Sequence, residues 1–364
     1  MDKILFECHH LYYLPNFIPI IKVLQIRGGF DIHISIPQTM SEFEKNGVKE
    51  AAGSLGIKYI YDDSEEQRLE KLRKTEYNCI IVGNIGKLHS IAVENTITVM
   101  VYHGIGLKQT YYRDISDRID IRVVESQDRF DILQKKGFQN IHLVGFTKLD
   151  PLFNGEYDKN AVINDCQLDP DKKTILYAPS FYPTSIDKVL PELEILSSFY
   201  NVIVKLHQFG WHQKRYRYQS ELVQQYATRS RSIYLVPREK FDILPYFAAS
   251  DILISDISSA LFEYLPLNRP ILLNEFYTLR LKHKIFYKRF SKKLDLDRLD
   301  SIDVVRWVKT VDELGLLVTD AIENSDDLSQ KRTDAIHKYL YRSDGKASSR
   351  LVDMISEKIK NGRV

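Results

Sequence analysis

One stretch of the chain decides the fold: Asp251-Ile-Leu-Ile-Ser-Asp-Ile-Ser-Ser-Ala-Leu-Phe-Glu-Tyr-Leu-Pro-Leu-Asn-Arg-Pro-Ile-Leu-Leu273. Its pattern predicts a buried strand over Asp251–Ser255, a helix over about Ser259–Leu265 and a second strand over Pro270–Leu273. Two apolar strands joined by a helix form the repeating unit of a parallel sheet. The stretch therefore predicts an α/β protein.

The turn before this helix carries hydroxyl groups. Ser258 and Ser259 stand where the helix begins, and the unpaired N–H groups of a helix N-terminus suit a phosphate. Glu263 lies about one helical turn further on, within reach of a ribose attached to that phosphate. Asp256 is a lone carboxylate that is expected to cap the turn. The alternative is a capped helix without a ligand, because serine and aspartate are common N-caps.

Strands and helices alternate along the rest of the chain. The candidate strands of the first half are Ile4–Phe6, Asp31–Ile36, Ile57–Tyr61, Asn78–Val82, Ile97–Val101, Ile121–Val124 and Ile141–Val144. A loop at Asn154–Asn160 separates them from a second series that begins at Thr174–Tyr177, and the tail from about Val304 is predicted to be largely helical. Such alternation indicates parallel sheets with right-handed crossovers.

The pattern predicts two doubly wound, Rossmann-like domains in tandem. The predicted boundaries are 1–150 for the first domain, 151–345 for the second and 346–364 for a C-terminal helix. Ligands of such sheets bind beyond the carboxyl ends of the strands, so we expect the site in a cleft that the two domains face. No Gly-x-Gly-x-x-Gly turn follows the first strand, which argues against a classical dinucleotide dehydrogenase.

Composition narrows the class of protein. The 364 residues carry a formal charge of +2, which argues against a general nucleic-acid binder. Cys8, Cys79 and Cys166 lack metal-type spacing and suit a reducing compartment. The first residues show no signal-peptide pattern, and no apolar run approaches the roughly eighteen residues of a membrane-spanning helix. The protein is expected to be cytoplasmic, and attachment to the inner face of the cell membrane stays open.

Two polar loops that follow apolar strands hold histidines, and doubly wound folds carry their chemistry in such loops. After the strand at Ile97–Val101, His103 is a candidate general base, because imidazole titrates near neutral pH. Gly104 lets the backbone approach a ligand, and Lys108 supplies charge for an anion. Lys205 and His207 lie at the end of another strand, where the alternation of side chains would turn both to the same side, and together they would suit a diphosphate. The alternative for the His103 loop is a turn with a hydrogen-bonded histidine. The alternative for the loop of Lys205 and His207 is a solvated strand end.

Weaker indications come from three other stretches. Ser180 follows the first strand of the second series, in a turn fixed by two prolines. His9 and His10 close the first strand of the chain and could contact an acceptor, although they are not spaced like metal ligands. The basic and aromatic run Lys282–Lys293 suits an anionic membrane surface, but more often such a run is a solvated loop.

Several motifs, in order, resemble those of the CDP-glycerol glycerophosphotransferases, the teichoic-acid primases and polymerases of bacterial envelopes. They are His-Gly-x-x-Leu-Lys (103–108), Tyr-Ala-Pro-Ser (177–180), Lys-x-His (205–207), Asp-x-Ser-Ser-x-x-x-Glu (256–263) and Asp-Gly-Lys-Ala-Ser (344–348). The stretch Gly145–Asp150 resembles the family's Gly-x-Pro-x-x-Asp, with Thr147 in place of proline. The resemblance covers about residues 100–355.

The resemblance implies the GT-B architecture of two Rossmann-like domains and the transfer of a polyol phosphate. The donor would be a CDP-polyol, with CDP-glycerol favoured, the acceptor a hydroxyl of a glycan, lipid-linked or polyol-phosphate polymer of the envelope, capsule or teichoic-acid type, and CMP the product. Phosphoryl transfer of this kind relies on positioning and positive potential, so no cofactor and no metal are expected.

The resemblance also assigns roles to individual residues. His103 would deprotonate the acceptor hydroxyl, while Lys205 and His207 would offset charge on the donor pyrophosphate. The serine pair of the helix N-terminus would bind the donor phosphates, and Glu263 would hold the cytidine ribose. The family usually carries Thr-Pro at positions 105–106 and proline at Gln208, so these departures leave the identity of the polyol open.

Two other readings of the sequence remain open. The same architecture hosts nucleotide-sugar glycosyltransferases and UDP-sugar 2-epimerases, and fold alone does not separate them from a phosphotransferase. The chain could instead be a non-catalytic module that binds a nucleotide or a glycan. Release of CMP, rather than of a nucleoside diphosphate, distinguishes the first reading.

Overall fold

The structure is a computed structural model, and it describes residues 1–106, 116–286 and 302–362. The chain forms two compact units. Unit 1 is composed of Met1–Gly104, Tyr112–Asn154 and Lys338–Val364, and unit 2 of Ile105–Tyr111 and Gly155–His337.

Unit 1 is built on a parallel sheet, which within the described residues has seven strands in the order β3-β2-β1-β4-β5-β6-β7. The strands are β1 (Asp2–Glu7), β2 (Phe30–Ser35), β3 (Lys58–Ile60), β4 (Cys79–Val82), β5 (Ile97–Val101), β6 (Ile121–Val124) and β7 (Ile141–Leu143). The order changes direction between β1 and β4, and in doubly wound sheets ligands bind at that point.

The helices of unit 1 follow the sequence signals closely. They are α1 (Leu14–Arg27), α2 (Glu42–Ser54), α3 (Glu65–Thr75), α4 (Leu88–Ile91), α5 (Gln127–Lys135) and α6 (Asp150–Phe153). At the start of α2, the Ser41 hydroxyl accepts from the Glu44 N–H while the Glu44 carboxylate accepts from the Ser41 N–H. This capping box satisfies two donors that the helix would otherwise leave unpaired, and it explains why α2 begins at Glu42.

Unit 2 is also built on a parallel sheet, with the order β10-β9-β8-β11-β12-β13 over the described residues. Its strands are β8 (Thr174–Ala178), β9 (Asn201–Val204), β10 (Ile233–Leu235), β11 (Ile252–Ser255), β12 (Ile271–Asn274) and β13 (Arg306–Val308). Every residue of the central strands β8 and β11 is buried, as expected when helices cover both faces of a parallel sheet. The order changes direction between β8 and β11.

The helices of unit 2 include two departures from the sequence predictions. They are α7 (Lys159–Asp165), α8 (Ile186–Leu196), α9 (Phe209–His212), α10 (Tyr218–Arg229), α11 (Leu244–Ala249), α12 (Ala260–Tyr264), α13 (Leu281–Ile285), α14 (Leu314–Glu323) and α15 (Ser329–Tyr339). Helix α7 begins inside the predicted loop, where the Asp158 carboxylate caps it by accepting from the Ala161 N–H. The predicted helical tail contains strand β13, which pairs with β12 at the edge of the sheet.

The last helix, α16 (Ala347–Asn361), packs against α1 and belongs to unit 1. Asp150 holds its start, since the carboxylate accepts from the N–H groups of Ala347 at 3.0 Å and Ser348 at 2.7 Å. Arg27 of α1 forms an ion pair with Asp353 on α16. The sequence predicted that the second domain extends to residue 345. In the structure, unit 2 ends at His337 and unit 1 resumes at Lys338.

None of the helices in the described part of the chain is long and apolar enough to cross a membrane.

Candidate active site

Asp256 is the centre of the polar cluster in unit 2. It follows β11 and is fully buried. Its carboxylate accepts from the Ser180 N–H at 3.0 Å, from the Ser185 N–H at 3.3 Å and from the Ser185 hydroxyl at 2.5 Å. The Ser185 hydroxyl also contacts Tyr177 and Asn274. The carboxylate therefore ties the loop after β8 to the turn after β11.

Burial raises the pKa of the Asp256 carboxyl to about 6, and the hydrogen bonds from Ser185 and Ser180 act against that rise. A carboxylate removed from water loses solvation, which disfavours its charged form. The sequence indicated that Asp256 caps its own turn. In the structure it anchors a loop that lies more than seventy positions earlier in the chain.

The serine pair lies where the sequence placed it. Helix α12 begins at Ala260, one residue after Ser259, and the Ser258 hydroxyl accepts from the Ala260 N–H at 3.1 Å. The Ser259 side chain makes no capping hydrogen bond. Glu263 lies on α12 one turn later and is buried. The helix is short, with five residues, so most of its N–H groups belong to its first turn.

Ser180 and His207 are brought to the same place. The Ser180 hydroxyl accepts from the Tyr182 N–H at 3.3 Å. The ring of Phe181 packs 4.7 Å from the ring of His207, and the Phe209 N–H donates to His207 Nδ1 at 3.1 Å. Because Ser180 is also bonded to Asp256, loops after three strands of unit 2 meet at the carboxyl edge of its sheet.

Lys205 differs from His207 in exposure. Strand β9 ends at Val204, so both residues follow the strand, and the alternation of side chains on which the sequence argument rested does not extend to them. The Lys205 side chain is buried, and its ammonium lies 3.5 Å from the Leu206 carbonyl oxygen. The ring of His207 is only partly buried.

In unit 1, His103 belongs to an aromatic cluster. Its ring lies 5.0 Å from the rings of both Tyr12 and Tyr13. The Tyr13 hydroxyl accepts from the Asn84 amide at 2.7 Å, and the Asn16 amide approaches the His103 carbonyl oxygen at 3.4 Å. The structure thus joins the loop after β5 to the segment after β1, two regions that the sequence treated separately.

His9 and His10 occupy different environments. The nitrogens of the His9 ring are buried, and Nε2 lies 3.7 Å from Oε1 of Glu7, a fully buried residue. Burial lowers the pKa of His9, although Glu7 acts in the opposite direction. The His10 ring is 36% exposed, stacks on Tyr12 at 4.8 Å and has Nδ1 3.4 Å from Glu44. The two histidines that could contact an acceptor thus differ in exposure, since the His9 nitrogens are buried and part of the His10 ring is exposed.

Glu7 is a buried charge that the sequence analysis missed. Its Oε2 accepts from Arg68 at 3.0 Å, and Arg68 also binds Glu65 and Ser35. The available signal was a charged residue directly after the apolar run Ile4–Phe6, because buried charges are almost always paired.

Some predicted site residues lie outside the described part of the chain. Lys108 is among them, and so are residues 287–293 of the basic and aromatic run. Gly104 is described and buried. Within residues 1–106, 116–286 and 302–362, no group of three His, Cys, Asp or Glu side chains could hold a metal ion.

The family of the CDP-Glycerol:Poly(glycerophosphate) glycerophosphotransferase matches residues 78–357. The match covers most of the chain and includes every motif loop described above except the histidine pair after β1. The chain belongs to this family. Its sequence resemblance to these transferases is thereby confirmed.

A bacterial relative supports membership of this family. The chain is 30% identical to the teichoic acid glycerol-phosphate primase of Bacillus subtilis (strain 168) over 224 residues, which are 59% of this chain and 53% of the primase. The chain thus spans about half the length of that relative.

Solved structures share the fold. The wall teichoic acid polymerase TagF matches 99% of this chain and 89% of its own, with a TM-score of 0.70 and 16% identity. The UDP-GlcNAc 2-epimerase from Neisseria meningitidis matches 98% of this chain and 100% of its own, with a TM-score of 0.60 and 14% identity. At these identities the likeness concerns the fold. It confirms the predicted GT-B-like α/β class, with two parallel sheets and a C-terminal helix.

Proposed function

We propose that this protein is a CDP-glycerol glycerophosphotransferase that acts in the synthesis of a teichoic-acid-type envelope polymer. It would transfer glycerol phosphate from CDP-glycerol to a hydroxyl of a polyglycerol-phosphate or glycan acceptor and release CMP. One observation carries the proposal: in a member of this family, three loops with phosphate-binding residue types meet at the carboxyl edge of one sheet. Ligands of doubly wound sheets bind at that edge.

Unit 2 would hold the donor. The hydroxyls of Ser258 and Ser259, with the N–H groups at the start of α12, would bind phosphate oxygens. Glu263 would accept hydrogen bonds from the ribose. The loop of Ser180 would face the same phosphates, because Asp256 fixes its backbone beside the α12 turn.

Positive charge on the donor side would come from Lys205 and His207, with Gly104 and Lys108 as further contacts. The donor diphosphate is negatively charged, and further negative charge develops on the leaving CMP as its bond to the transferred phosphorus breaks. A cation fixed near that oxygen stabilises the transition state more than the ground state, which is the requirement for catalysis.

Unit 1 would supply the general base. His103 would take the proton of the acceptor hydroxyl, whose oxygen forms a bond to the phosphorus that carries glycerol. The bond from that phosphorus to the bridging oxygen breaks, and the electron pair leaves with CMP. The rings of Tyr12 and Tyr13 hold the His103 imidazole in place. His10 would contact the acceptor, since it is the more exposed of the two histidines after β1.

The first experiment is calorimetric titration of the protein with CDP, CMP, UDP and ADP. We expect CDP to bind preferentially, and the Ser258→Ala/Ser259→Ala variant to lose about 1.5–3 kcal/mol of that binding, the range for hydrogen bonds to charged groups. A preference for UDP would favour the epimerase or the glycosyltransferase, and binding of none of them would favour a non-catalytic module. Unchanged CDP affinity in the double variant would place the phosphate site elsewhere.

The second experiment is CMP release from CDP-glycerol in the presence of a polyol-phosphate acceptor. His103→Ala and His207→Ala should lower the rate at least about 100-fold, the lower range for loss of a general acid or base. His89→Ala and His337→Ala are the controls, because these histidines are exposed and lie one in each unit. A near-normal rate for either test variant would refute the role of that histidine.

We also propose a cytoplasmic protein that contacts an anionic membrane surface carrying a lipid-linked acceptor. Helix α13 supports this, because Leu281 is 74% and Ile285 65% exposed, with exposed Lys282 and Lys284 between them. Apolar side chains beside lysines suit the headgroup region of anionic lipid. Sedimentation with vesicles should show binding to phosphatidylglycerol but not to phosphatidylcholine, and Leu281→Ser/Ile285→Ser should abolish it. Equal sedimentation of the variant would exclude α13.

A further inference from the structure

Arg280 is fixed between two tyrosine rings. Its guanidinium carbon lies 4.1 Å from the centre of the Tyr182 ring and 5.2 Å from that of the Tyr216 ring. Its Nη2 donates to the Tyr216 hydroxyl at 2.5 Å. Aromatic faces attract a guanidinium and restrict its motion, so the planar group is held in one orientation.

The backbone around this arginine is also fixed. The Thr278 N–H donates to the Thr184 carbonyl oxygen at 2.7 Å, and an antiparallel bridge joins these two residues. Tyr182 and Arg280 each lie two residues from the bridge, and the Arg280 N–H donates to the Tyr182 hydroxyl at 3.2 Å. The loop after β12 is therefore fastened to the loop after β8, which carries Ser180.

The guanidinium of Arg280 carries a permanent positive charge. Among the residues that the structure describes, no carboxylate lies within 4.0 Å of its guanidinium. By contrast, the neighbouring Arg217 forms an ion pair with Glu221 at 3.2 Å. An arginine has five N–H donors in a planar fork that matches the oxygens of a phosphate. A guanidinium held rigidly without a carboxylate suits an anionic ligand.

Arg280 also lies close to the proposed catalytic histidine of unit 2. The Tyr216 ring that contacts it lies 5.2 Å from the Phe181 ring, and Phe181 lies 4.7 Å from His207. The arginine is thus separated from His207 by two aromatic rings, at the same edge of the sheet as the Ser180 loop.

We propose that Arg280 binds the second phosphate of the donor, the one that carries glycerol and is transferred. This rests on the proposed function and adds a binding residue to it. The N-terminus of α12 would hold the phosphate attached to cytidine, while Arg280 and His207 would hold the other. Tyr182 and Tyr216 would act as positioning residues that keep the guanidinium in its binding orientation.

The test compares the dissociation constants of CDP and CMP, because the two ligands differ only in the second phosphate. Arg280→Gln should weaken CDP about 10–100-fold while CMP changes little, as expected for the loss of charge-assisted hydrogen bonds. Arg280→Lys should fall between, since lysine keeps the charge but not the planar fork. Tyr216→Phe keeps the ring and loses the hydroxyl, so it should weaken CDP by a smaller factor.

Arg217→Gln is the matched control, since it removes an equal charge from the same region and should leave the ratio of the CDP and CMP constants unchanged. A ratio in Arg280→Gln equal to that of the wild type would overturn the assignment, whether both ligands weaken together or neither does. Unchanged intrinsic fluorescence in Arg280→Lys would show that the fold survives. Failure of the wild-type protein to bind either nucleotide would instead count against the proposed function.

Discussion

Asp256→Asn should change how the stability of unit 2 depends on pH. Burial holds the pKa of this carboxyl near 6, above its ordinary value of 3.8, so the folded protein binds a proton more tightly than the unfolded chain does. The stability that this provides is present at low pH and is lost as the pH rises between the two values. The difference between them corresponds to about 3 kcal/mol, at 1.36 kcal/mol for each pKa unit.

Asparagine has nearly the same shape and cannot titrate. Its amide oxygen can still accept from the Ser180 and Ser185 N–H groups, and its amide nitrogen can donate to the Ser185 hydroxyl, so the loop should keep its anchor. We therefore expect the free energy of unfolding of the variant, relative to the wild type, to rise by about 3 kcal/mol from about pH 4 to about pH 7.

Tryptophan fluorescence during urea unfolding is the appropriate measurement. Both tryptophans of the chain, Trp211 and Trp307, lie in unit 2, so the signal reports on that unit. If the difference in free energy of unfolding between the variant and the wild type does not change with pH, the raised pKa of Asp256 is refuted. A difference that falls with rising pH would mean that the hydrogen bonds outweigh burial.

Asp251→Asn provides the matched contrast, because Asp251 lies directly before the same strand, β11. Burial alone would raise the pKa of Asp251, but hydrogen bonds from Lys159 and from the Thr174 N–H hold it below its ordinary value. The stability that the charged Asp251 provides is present above its unfolded pKa and is lost as the pH falls. Relative to the wild type, the Asp251→Asn variant should therefore lose more stability at neutral pH than in acid. This pH dependence is opposite in sign to that of Asp256→Asn.

Two further predictions concern unit 1. A Cβ at Gly83 would lie 2.6 Å from the buried ring of Tyr13, so calorimetry should show that Gly83→Ala lowers the free energy of unfolding by about 1–3 kcal/mol. In α2, a Cβ at Gly53 meets open space, so Gly53→Ala should raise the free energy of unfolding by about 0.5–1 kcal/mol. A change of the same sign in both glycine variants would contradict the packing argument. Asp150→Ala removes the hydrogen bonds at the start of α16 and should lower the free energy of unfolding by about 1 kcal/mol. Amide hydrogen exchange at the start of that helix should become faster, and unchanged exchange would refute the capping role of Asp150.

Local pattern was sufficient to predict most of the strands. Strands β5 and β6 begin and end where the sequence placed them, and helix α3 begins directly after its capping residue, Ser64. These elements are set by apolar runs, by helical periodicity and by capping residues such as Ser64, all of which act between near neighbours. Strand β13 was missed because it begins with a charged arginine and only one of its three residues is fully buried, so it shows no apolar run.

The location of the candidate functional loops also followed from the sequence. In a parallel sheet all strands run in one direction, so every loop after a strand lies at the same edge. This alone placed the loops of Ser180, His207 and Ser258 together in unit 2, and the bonds from Asp256 join two of them in the structure.

The alternation of strands and helices, the fold class and the set of loops that could bind a phosphate all follow from local sequence pattern. The contacts between distant side chains became visible in the folded protein: Asp256 with Ser180, Glu7 with Arg68, and Asp150 with the start of α16. These partners lie sixty or more positions apart, so their contact depends on the order of strands in each sheet and on which helices pack together. No local pattern encodes that order, because it results from the burial of whole elements against one another.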